Sequence, residues 1–230
     1  MNISVQRKIS QKLVAAEINL QQKQLEDLNA YHQLILEWSN RTNLISLPDR
    51  DRIVEKHFFE SMAVLNAFDL KKEAAVLDVG TGCGFPGLPI ALLRPDLKMT
   101  LLESRRMKAL FLKEAVSQLK LKNVIVMMER CEKLCERSEF AQQFDYIFSR
   151  TVASLSVVYQ WIKDLLKNNG RYIAWKGGDM ESEVKQLLNH DKNVVIKIVK
   201  LDERFVAQRH RRCLISVQKR LSGGGSYVGI

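Results

Sequence analysis

The chain has 230 residues, of which 46% are hydrophobic and 27% are charged. This length suits one large domain, or one domain with a helical appendage, and the composition excludes a wholly disordered protein. No segment approaches the ~18 apolar residues of a membrane span, and the N-terminal residues contain no apolar signal-peptide centre. We therefore expect a soluble, cytoplasmic protein that does not bind a membrane.

The basic residues are concentrated toward the C-terminus. The net charge is +10, and residues 151–230 carry 14 basic residues against 7 acidic ones, with the densest cluster at residues 209–212. A basic surface binds a polyanion chiefly by releasing counterions, so a nucleic acid is the natural partner and an anionic membrane a weaker one. An ordinary solvated basic surface is the alternative.

The cysteines do not indicate a disulfide scaffold or a metal site. Four cysteines are too few to cross-link a chain of this length, and their spacing to each other and to the histidines is not that of a zinc site. We expect four free thiols and no metal. The residues concerned are Cys83, Cys131, Cys135 and Cys213.

Residues 1–70 are predicted to form a helical extension packed on the core. Apolar residues recur there at intervals of three and four, which indicates an amphipathic helix. Pro48 and Asp49 then begin a second helix that includes Phe58 and Leu65. The first stripe consists of Leu25, Leu28, Tyr31, Leu34, Ile35 and Trp38.

From residue 74 short apolar runs alternate with helical patterns, which is typical of a parallel sheet with helices on both faces. The last two runs have no helical pattern between them and should pair antiparallel. We expect an α/β core domain over residues 71–220 and a flexible tail over 221–230. Helices are expected at 105–119 and 154–167, and strands at 75–79, 99–102, 124–128, 146–148, 172–175, 194–199 and 214–217.

The first strand is followed by the glycine-rich turn GTGCGFPG at residues 80–87. Glycines at this position allow a ligand to approach the backbone where the carboxyl end of a parallel strand meets a helix. Gly82, Gly84 and Gly87 match the dinucleotide-binding pattern, with Glu103 at a suitable distance. The match by itself is a weak signal.

Two features of this turn favour a different ligand. Asp78 precedes the glycines and would repel a pyrophosphate, and Phe85 with Pro86 fills the turn where a dinucleotide needs an open helix N-terminus. A carboxylate beside the loop suits a cationic ligand with an amino group and a sulfonium, which describes S-adenosylmethionine. Glu103 would then accept hydrogen bonds from the ribose hydroxyls.

Together, the strand pattern and the motif after the first strand resemble the seven-stranded, Rossmann-like methyltransferases. The chain is further similar, over about residues 20–218, to the glucose-inhibited division protein B family, which methylates nitrogen 7 of a guanine in small-subunit ribosomal RNA. The similar blocks are TNLIS (42–46), KHFFES (56–61), LDVGTGCGFPGLPIAL (77–92), LLES (101–104), RCEKL (130–134), FDYIFSRTVASL (144–155) and GRYIAWKG (170–177).

The resemblance implies roles for individual residues at the cofactor site. Gly80 and Phe85 would contact the methionine part of S-adenosylmethionine, Cys131 and Glu132 would hold the adenine edge, and Arg150 would lie beside the cofactor at the mouth of the active site. The full predicted set is Asp78, Gly80, Gly82, Gly84, Phe85, Glu103, Cys131, Glu132 and Arg150.

Nitrogen 7 of guanine carries a lone pair and no proton, so we expect no general base. Arg150 is the predicted catalytic residue in an orienting role, because arginine stays protonated, although a salt bridge that closes the strand end is the alternative. His57, on an apolar helix face, is expected to be structural. Phe85, Tyr172 and Trp175 are candidate stacking partners for a base, although each suits the core better.

The predicted RNA-binding residues are Lys176, Arg209, Arg211 and Arg212. The expected partner is small-subunit ribosomal RNA or a partly assembled small subunit, and the protein is expected to be a monomer. Two other functions stay open on the residues alone: a nicotinamide-dependent oxidoreductase, and a non-catalytic RNA-binding protein with a vestigial cofactor site.

Overall fold

The computed structural model describes residues 7, 9–11, 13–14, 16–206 and 212–220. The predicted tail at 221–230 lies outside the described residues, as do Arg209 and Arg211. Within the described part of the chain, no helix has both the length and the hydrophobicity needed to span a membrane.

All seven predicted strands are present and form one sheet, in the spatial order β3-β2-β1-β4-β5-β7-β6. The first five are parallel, and β7 pairs antiparallel with both β5 and β6. The predicted α/β class and the terminal antiparallel hairpin are therefore confirmed. The strands are β1 (Ala75–Val79), β2 (Lys98–Leu102), β3 (Val124–Met127), β4 (Phe144–Arg150), β5 (Leu166–Gly177), β6 (Val194–Lys200) and β7 (Arg212–Lys219).

In the sheet, β7 lies between β5 and β6, although β6 comes first in the chain. The burial of their side chains explains this order. Five consecutive residues of β7 are buried, as a strand covered on both faces requires. In β6 only Val194 is fully buried, and Lys197 and Lys200 are exposed. Lysines protect a sheet edge from pairing with other chains, so β6 forms the edge and β7 lies inside it.

Helices cover both faces of the sheet. The predicted helix at 105–119 is confirmed as Arg106–Gln118, whereas the one at 154–167 is shorter than expected, because that helix ends at Ile162 and β5 begins at Leu166. The helices are α1 (Gln22–Arg41), α2 (Leu47–Arg50), α3 (Phe59–Met62), α4 (Val64–Ala67), α5 (Gly87–Leu93), α6 (Arg106–Gln118), α7 (Cys131–Leu134), α8 (Leu155–Ile162) and α9 (Met180–His190), with a π-helical turn at Ile53–Phe58 and a 3-10 turn at Ser138–Phe140.

Helix α9 was not expected from the sequence. It connects β5 to β6 and begins at Asp179, whose side-chain oxygen accepts a hydrogen bond of 3.0 Å from the amide of Ser182. Glu181 and Glu183 lie in its first turn, where their negative charges stabilise the positive end of the helix dipole. These start signals are present in the sequence, and Met180, Val184 and Leu187 recur at helical spacing and pack on one hydrophobic cluster, although only Leu187 is fully buried.

The N-terminal helices pack on the sheet through the predicted stripe. Leu28, Tyr31 and Ile35 of α1 are fully buried, and the Tyr31 ring stacks on Phe58 at 5.4 Å. The second predicted helix is interrupted, since α2, the π-helical turn, α3 and α4 replace one continuous element. One hydrophobic cluster joins these helices to one face of the sheet; the boundary at residue 70 stays a prediction.

Candidate active site

The glycine-rich turn connects the carboxyl end of β1 to α5 at the centre of the sheet. Gly84 has φ +99°, in the left-handed region that side chains rarely adopt. A Cβ atom added to Gly84 would lie 2.5 Å from Leu88 Cδ1 and 2.7 Å from the Tyr31 hydroxyl oxygen. Glycine is therefore required here both by the backbone conformation and by the close approach of α1.

Asp78 is fully buried beneath this turn. Its Oδ2 accepts hydrogen bonds from the Gly87 amide (2.8 Å) and from the Thr81 hydroxyl (2.6 Å), which fold the turn around the carboxylate. Its Oδ1 has no hydrogen-bond partner among the described residues. Burial raises the pKa of Asp78 to about 7. Asp78 thus supports the turn from below, and its contact with a ligand stays a prediction.

Glu103 holds the turn from the adjacent strand. It follows β2 and is buried; its Oε2 accepts a hydrogen bond of 3.0 Å from the Gly82 amide, and its Oε1 accepts one of 2.7 Å from the Arg105 amide. The structure therefore brings together Asp78, Glu103 and the glycine turn. The carboxyl ends of neighbouring parallel strands meet at one edge of the sheet, which is the placement expected from the sequence.

Arg150 is the last residue of β4, and its side chain is only 9% exposed. The guanidinium donates a hydrogen bond to Nδ1 of His57 and lies 3.7 Å from Oε2 of Glu60. It also lies over the Phe85 ring, with Cζ 5.5 Å from the centroid. The N-terminal helices thus provide the polar partners of Arg150, including the salt bridge named as an alternative. Its contact with the cofactor stays a prediction.

His57 is neutral at physiological pH. Burial and the adjacent Arg150 cation lower the pKa of His57 to about 3. Because Nδ1 accepts from Arg150, the ring proton is on Nε2, which has no hydrogen-bond partner among the described residues. The imidazole stacks on Phe85 at 5.0 Å. Its contacts are those of a side chain that supports Arg150 and Phe85.

The three aromatic residues considered for base stacking are buried. The Trp175 indole donates a hydrogen bond of 2.6 Å to the Glu60 carbonyl, and the Tyr172 hydroxyl is 2.7 Å from Ser149 Oγ. Phe85 is enclosed by the rings of Tyr31, His57 and Phe58. All three belong to the packed interior, which was the preferred expectation.

Cys131 and Glu132 begin α7, the short helix after β3. Cys131 is buried in the same hydrophobic cluster as Val79 and Leu102, the last residues of β1 and β2, and burial raises the pKa of its thiol to about 12. Glu132 is exposed. Both residues lie toward the carboxyl edge that holds the glycine turn, and their contact with adenine stays a prediction.

The described members of the predicted RNA-binding set, Lys176 and Arg212, lie on paired neighbouring strands but contact different carboxylates. The Lys176 side chain is 12% exposed and turns inward, with Nζ 3.0 Å from Glu183 and 2.7 Å from the Ala153 carbonyl. Arg212 is more accessible, and its Nε lies 3.9 Å from Glu60. A phosphate contact by Lys176 would therefore require its pairing with Glu183 to open.

Comparison with known proteins identifies the family. The family model described as rRNA small subunit methyltransferase G matches residues 24–213. The chain belongs to this family. Two proteins named ribosomal RNA small subunit methyltransferase G are similar over most of their length: that of Desulforamulus reducens (35% identity over 74% of this chain and 71% of the relative) and that of Clostridium perfringens (39% over 72% and 67%).

Solved structures similar to this chain have the same fold. A SAM-dependent methyltransferase from Aquifex aeolicus aligns with a TM-score of 0.55 at 21% identity, over 74% of this chain and 94% of that one. M. jannaschii TYW2 in complex with AdoMet aligns with a TM-score of 0.54 at 15% identity, over 75% and 81%. At these identities the likeness shows the fold alone, the predicted seven-stranded methyltransferase sheet.

As a member of this methyltransferase family, the chain uses S-adenosylmethionine as its methyl donor. The residues at the carboxyl edge fit that group. The buried Asp78 offers an unpartnered carboxylate oxygen next to the glycine turn, and Glu103 lies at the end of the second strand. Family membership decides against the nicotinamide-dependent alternative.

Sequence reasoning missed one group of basic residues at this edge, which we call the α6 rim: Arg105, Arg106 and Lys108 at the start of α6, and Arg130 before α7. Arg105, Arg106 and Arg130 are exposed, and no ion pair joins any of the four side chains to another described residue. Lys108 Nζ lies 3.7 Å from the position of a Cβ atom on Gly82. The signal was the run SRRMK, which begins a helix without an acidic residue in its first turn.

Proposed function

We propose that this protein methylates nitrogen 7 of one guanine in small-subunit ribosomal RNA. The observation that carries the proposal is the glycine turn held between Asp78 and Glu103 in a chain that matches the rRNA methyltransferase family over residues 24–213. Bound S-adenosylmethionine supplies a methyl group that a nucleophile can attack. The residues proposed to hold it are Asp78, Gly80, Gly82, Gly84, Phe85, Glu103, Cys131, Glu132 and Arg150.

The chemistry of nitrogen 7 supports a mechanism based on orientation. This nitrogen offers a lone pair and has no proton to remove, so the protein needs no general base. Correct alignment of reacting groups can itself lower a barrier by ~7–11 kcal/mol. The neighbouring His57 is neutral and already accepts a hydrogen bond from Arg150, and Arg150 stays protonated. We propose that Arg150 orients the reacting groups and transfers no proton.

The charges at the carboxyl edge support binding of an RNA backbone on two sides of the crevice. On one side Arg212 continues into the segment with Arg209 and Arg211, which lies outside the described residues. On the other side is the α6 rim. Exposed cations without protein partners can bind phosphates without first breaking an ion pair. The predicted phosphate contact of Lys176 has less support, because its ammonium is already paired.

Mapping of transferred methyl groups tests the proposal. The purified protein is incubated with labelled S-adenosylmethionine and either protein-free small-subunit ribosomal RNA or partly assembled small subunits. We expect label at nitrogen 7 of a single guanine, and the better substrate shows which form is recognised. Binding of RNA without any transfer would instead support the vestigial-site alternative, and label at another atom would contradict the proposed specificity.

Two further expectations accompany the proposal. We propose that the protein acts as a monomer in the cytoplasm, where ribosomal subunits are assembled. Light scattering during size-exclusion chromatography tests the first point, with an expected mass near the chain mass of 26.5 kDa. A stable dimer would contradict it.

A further inference from the structure

The segment that follows β4, residues 151–154, lies against the glycine turn. Thr151 has φ +56°, so the chain reverses sharply after Arg150. The reversal places Val152 over Gly80, because a Cβ atom on Gly80 would lie 2.8 Å from Val152 Cγ2. Val152 therefore fills the space that the missing side chain of Gly80 leaves. The segment after β4 and the glycine turn are therefore in direct contact through these two residues.

Two side chains outside the crevice hold the same segment from behind. Lys176, near the end of β5, donates a hydrogen bond of 2.7 Å to the carbonyl of Ala153. Glu183 of α9 accepts a hydrogen bond from the amide of Leu155, and its carboxylate lies 3.0 Å from Lys176 Nζ. One lysine–glutamate pair thus binds the backbone at both ends of the Ala153–Leu155 stretch.

The geometry points to Lys176 and Glu183 as positioning residues for the active site. We propose that this pair fixes residues 151–154 so that Val152 stays packed on Gly80, which shapes the methionine end of the cofactor crevice. The inference rests on the proposed function, and it gives Lys176 a role different from the predicted phosphate contact. The pair acts through the backbone of the segment and needs no contact with cofactor or RNA.

The principal test compares Lys176→Met with Lys167→Met. Lys167 is a matched control, because it also lies in β5 and pairs with a carboxylate, Asp145 at 2.6 Å, but at the opposite end of the strand. Calorimetry in the absence of RNA measures S-adenosylmethionine binding to each variant. We expect Lys176→Met to weaken binding about tenfold, because residues 151–154 are no longer held with Val152 against Gly80, and Lys167→Met to leave binding unchanged.

Three additional single variants and one double variant distinguish positioning from general destabilisation. Lys176→Arg keeps a donor of similar length and should restore most of the cofactor affinity. Val152→Ala should weaken binding by itself, and combined with Lys176→Met it should cost less than the sum of the two, because both act through the same contact. Glu183→Gln should speed hydrogen exchange at the Leu155 amide, a readout that requires neither RNA nor cofactor.

The outcomes separate this inference from the proposed function. If the unmodified protein binds S-adenosylmethionine and Lys176→Met binds it equally well, the positioning role is wrong. The same conclusion follows if Lys176→Met only lowers the salt dependence of RNA binding. That result would support the predicted contact of Lys176 with a phosphate. Absence of cofactor binding in the unmodified protein would instead refute the proposed function, together with the inference that rests on it.

Discussion

Two buried titratable side chains at the active site, Asp78 and His57, respond to pH in opposite directions. Burial raises the pKa of Asp78 to about 7, so its stabilising contribution is complete below pH ~4 and is lost as the pH rises through 7. Burial and Arg150 lower the pKa of His57 to about 3. Its contribution is therefore complete above pH ~6.5 and is lost as the pH falls toward 3.

Substitution of each residue should reveal its own share of this pH dependence. Between pH ~4 and ~6.5 the free energy of unfolding of Asp78→Asn should fall more steeply on acidification than that of the parent protein, because the opposing group is gone. Over the same pH range, the free energy of unfolding of His57→Gln should fall less steeply on acidification than that of the parent protein. Urea denaturation at a series of pH values measures both, and parallel profiles for all three proteins would contradict the shifted pKa values.

At the scale of elements, helix α6 begins with three cations of the α6 rim, Arg105, Arg106 and Lys108. Cations near a helix N-terminus oppose the helix dipole and cost about 0.3–1 kcal/mol each. These three side chains destabilise the helix N-terminus by this amount, and they lie at the edge where the glycine turn and Glu103 lie. A negatively charged backbone bound there would offset it, which is the reason to assign the rim to RNA.

Neutralising the three rim cations at the start of α6 should weaken RNA binding. We expect Arg105→Gln/Arg106→Gln/Lys108→Gln to lower the slope of log affinity against log salt by about 0.7–0.9 per lost phosphate contact. The matched control replaces three exposed lysines at the opposite edge of the sheet, where β1, β2 and β3 begin. These are Lys72, Lys98 and Lys122. Equal slopes for the two triple variants would exclude the rim as a docking surface.

The sequence predicted the strands better than the helices for a physical reason. Strands buried in a sheet consist of short, nearly continuous apolar runs, and the five parallel strands and β7 were found in this way. The edge strand β6 was found from its run of Val and Ile. Helix α9 was missed because its short apolar stripe, Met180, Val184 and Leu187, lies within a mostly polar segment. The helix through Phe58 was expected to be continuous, but a π-helical turn interrupts it.

At the site, sequence patterns predicted the glycine turn, Asp78 and Glu103, because these lie next to strand ends that hydrophobic runs identify. The contact of Arg150 with His57 joins residues 93 positions apart, so no local pattern indicates it. The inward direction of Lys176 depends on Glu183, in the helix that the pattern did not show. Contacts between polar residues that are far apart in the chain therefore could not be predicted from the sequence.

At the scale of the whole molecule, one hydrophobic cluster connects the N-terminal helices, one face of the sheet and the glycine turn. It contains Tyr31 and Phe58 from the helices, Phe85 from the turn, and Val76 and Leu214 from strands β1 and β7. Tyr31 also donates a hydrogen bond to the carbonyl of Cys83 within the turn. Changes in the N-terminal helices should therefore reach the cofactor site.

Truncation of one shared ring tests this coupling. Phe58 is fully buried and contacts the rings of Tyr31 and Phe85, so we expect Phe58→Ala to lower the free energy of unfolding by about 3–5 kcal/mol. Far-UV circular dichroism and tryptophan fluorescence should report the same transition. Separate transitions would show that the N-terminal helices unfold independently of the sheet.

The most direct measurement is a calorimetric titration of the parent protein and of Asp78→Asn with S-adenosylmethionine. The substitution keeps an oxygen for the Gly87 and Thr81 hydrogen bonds and removes the negative charge. We predict that the parent binds the cofactor near pH 6.5 with release of a proton from Asp78, and that the variant binds at least about tenfold more weakly without proton release. Equal affinities, or a parent protein that binds NADH instead, would contradict the account.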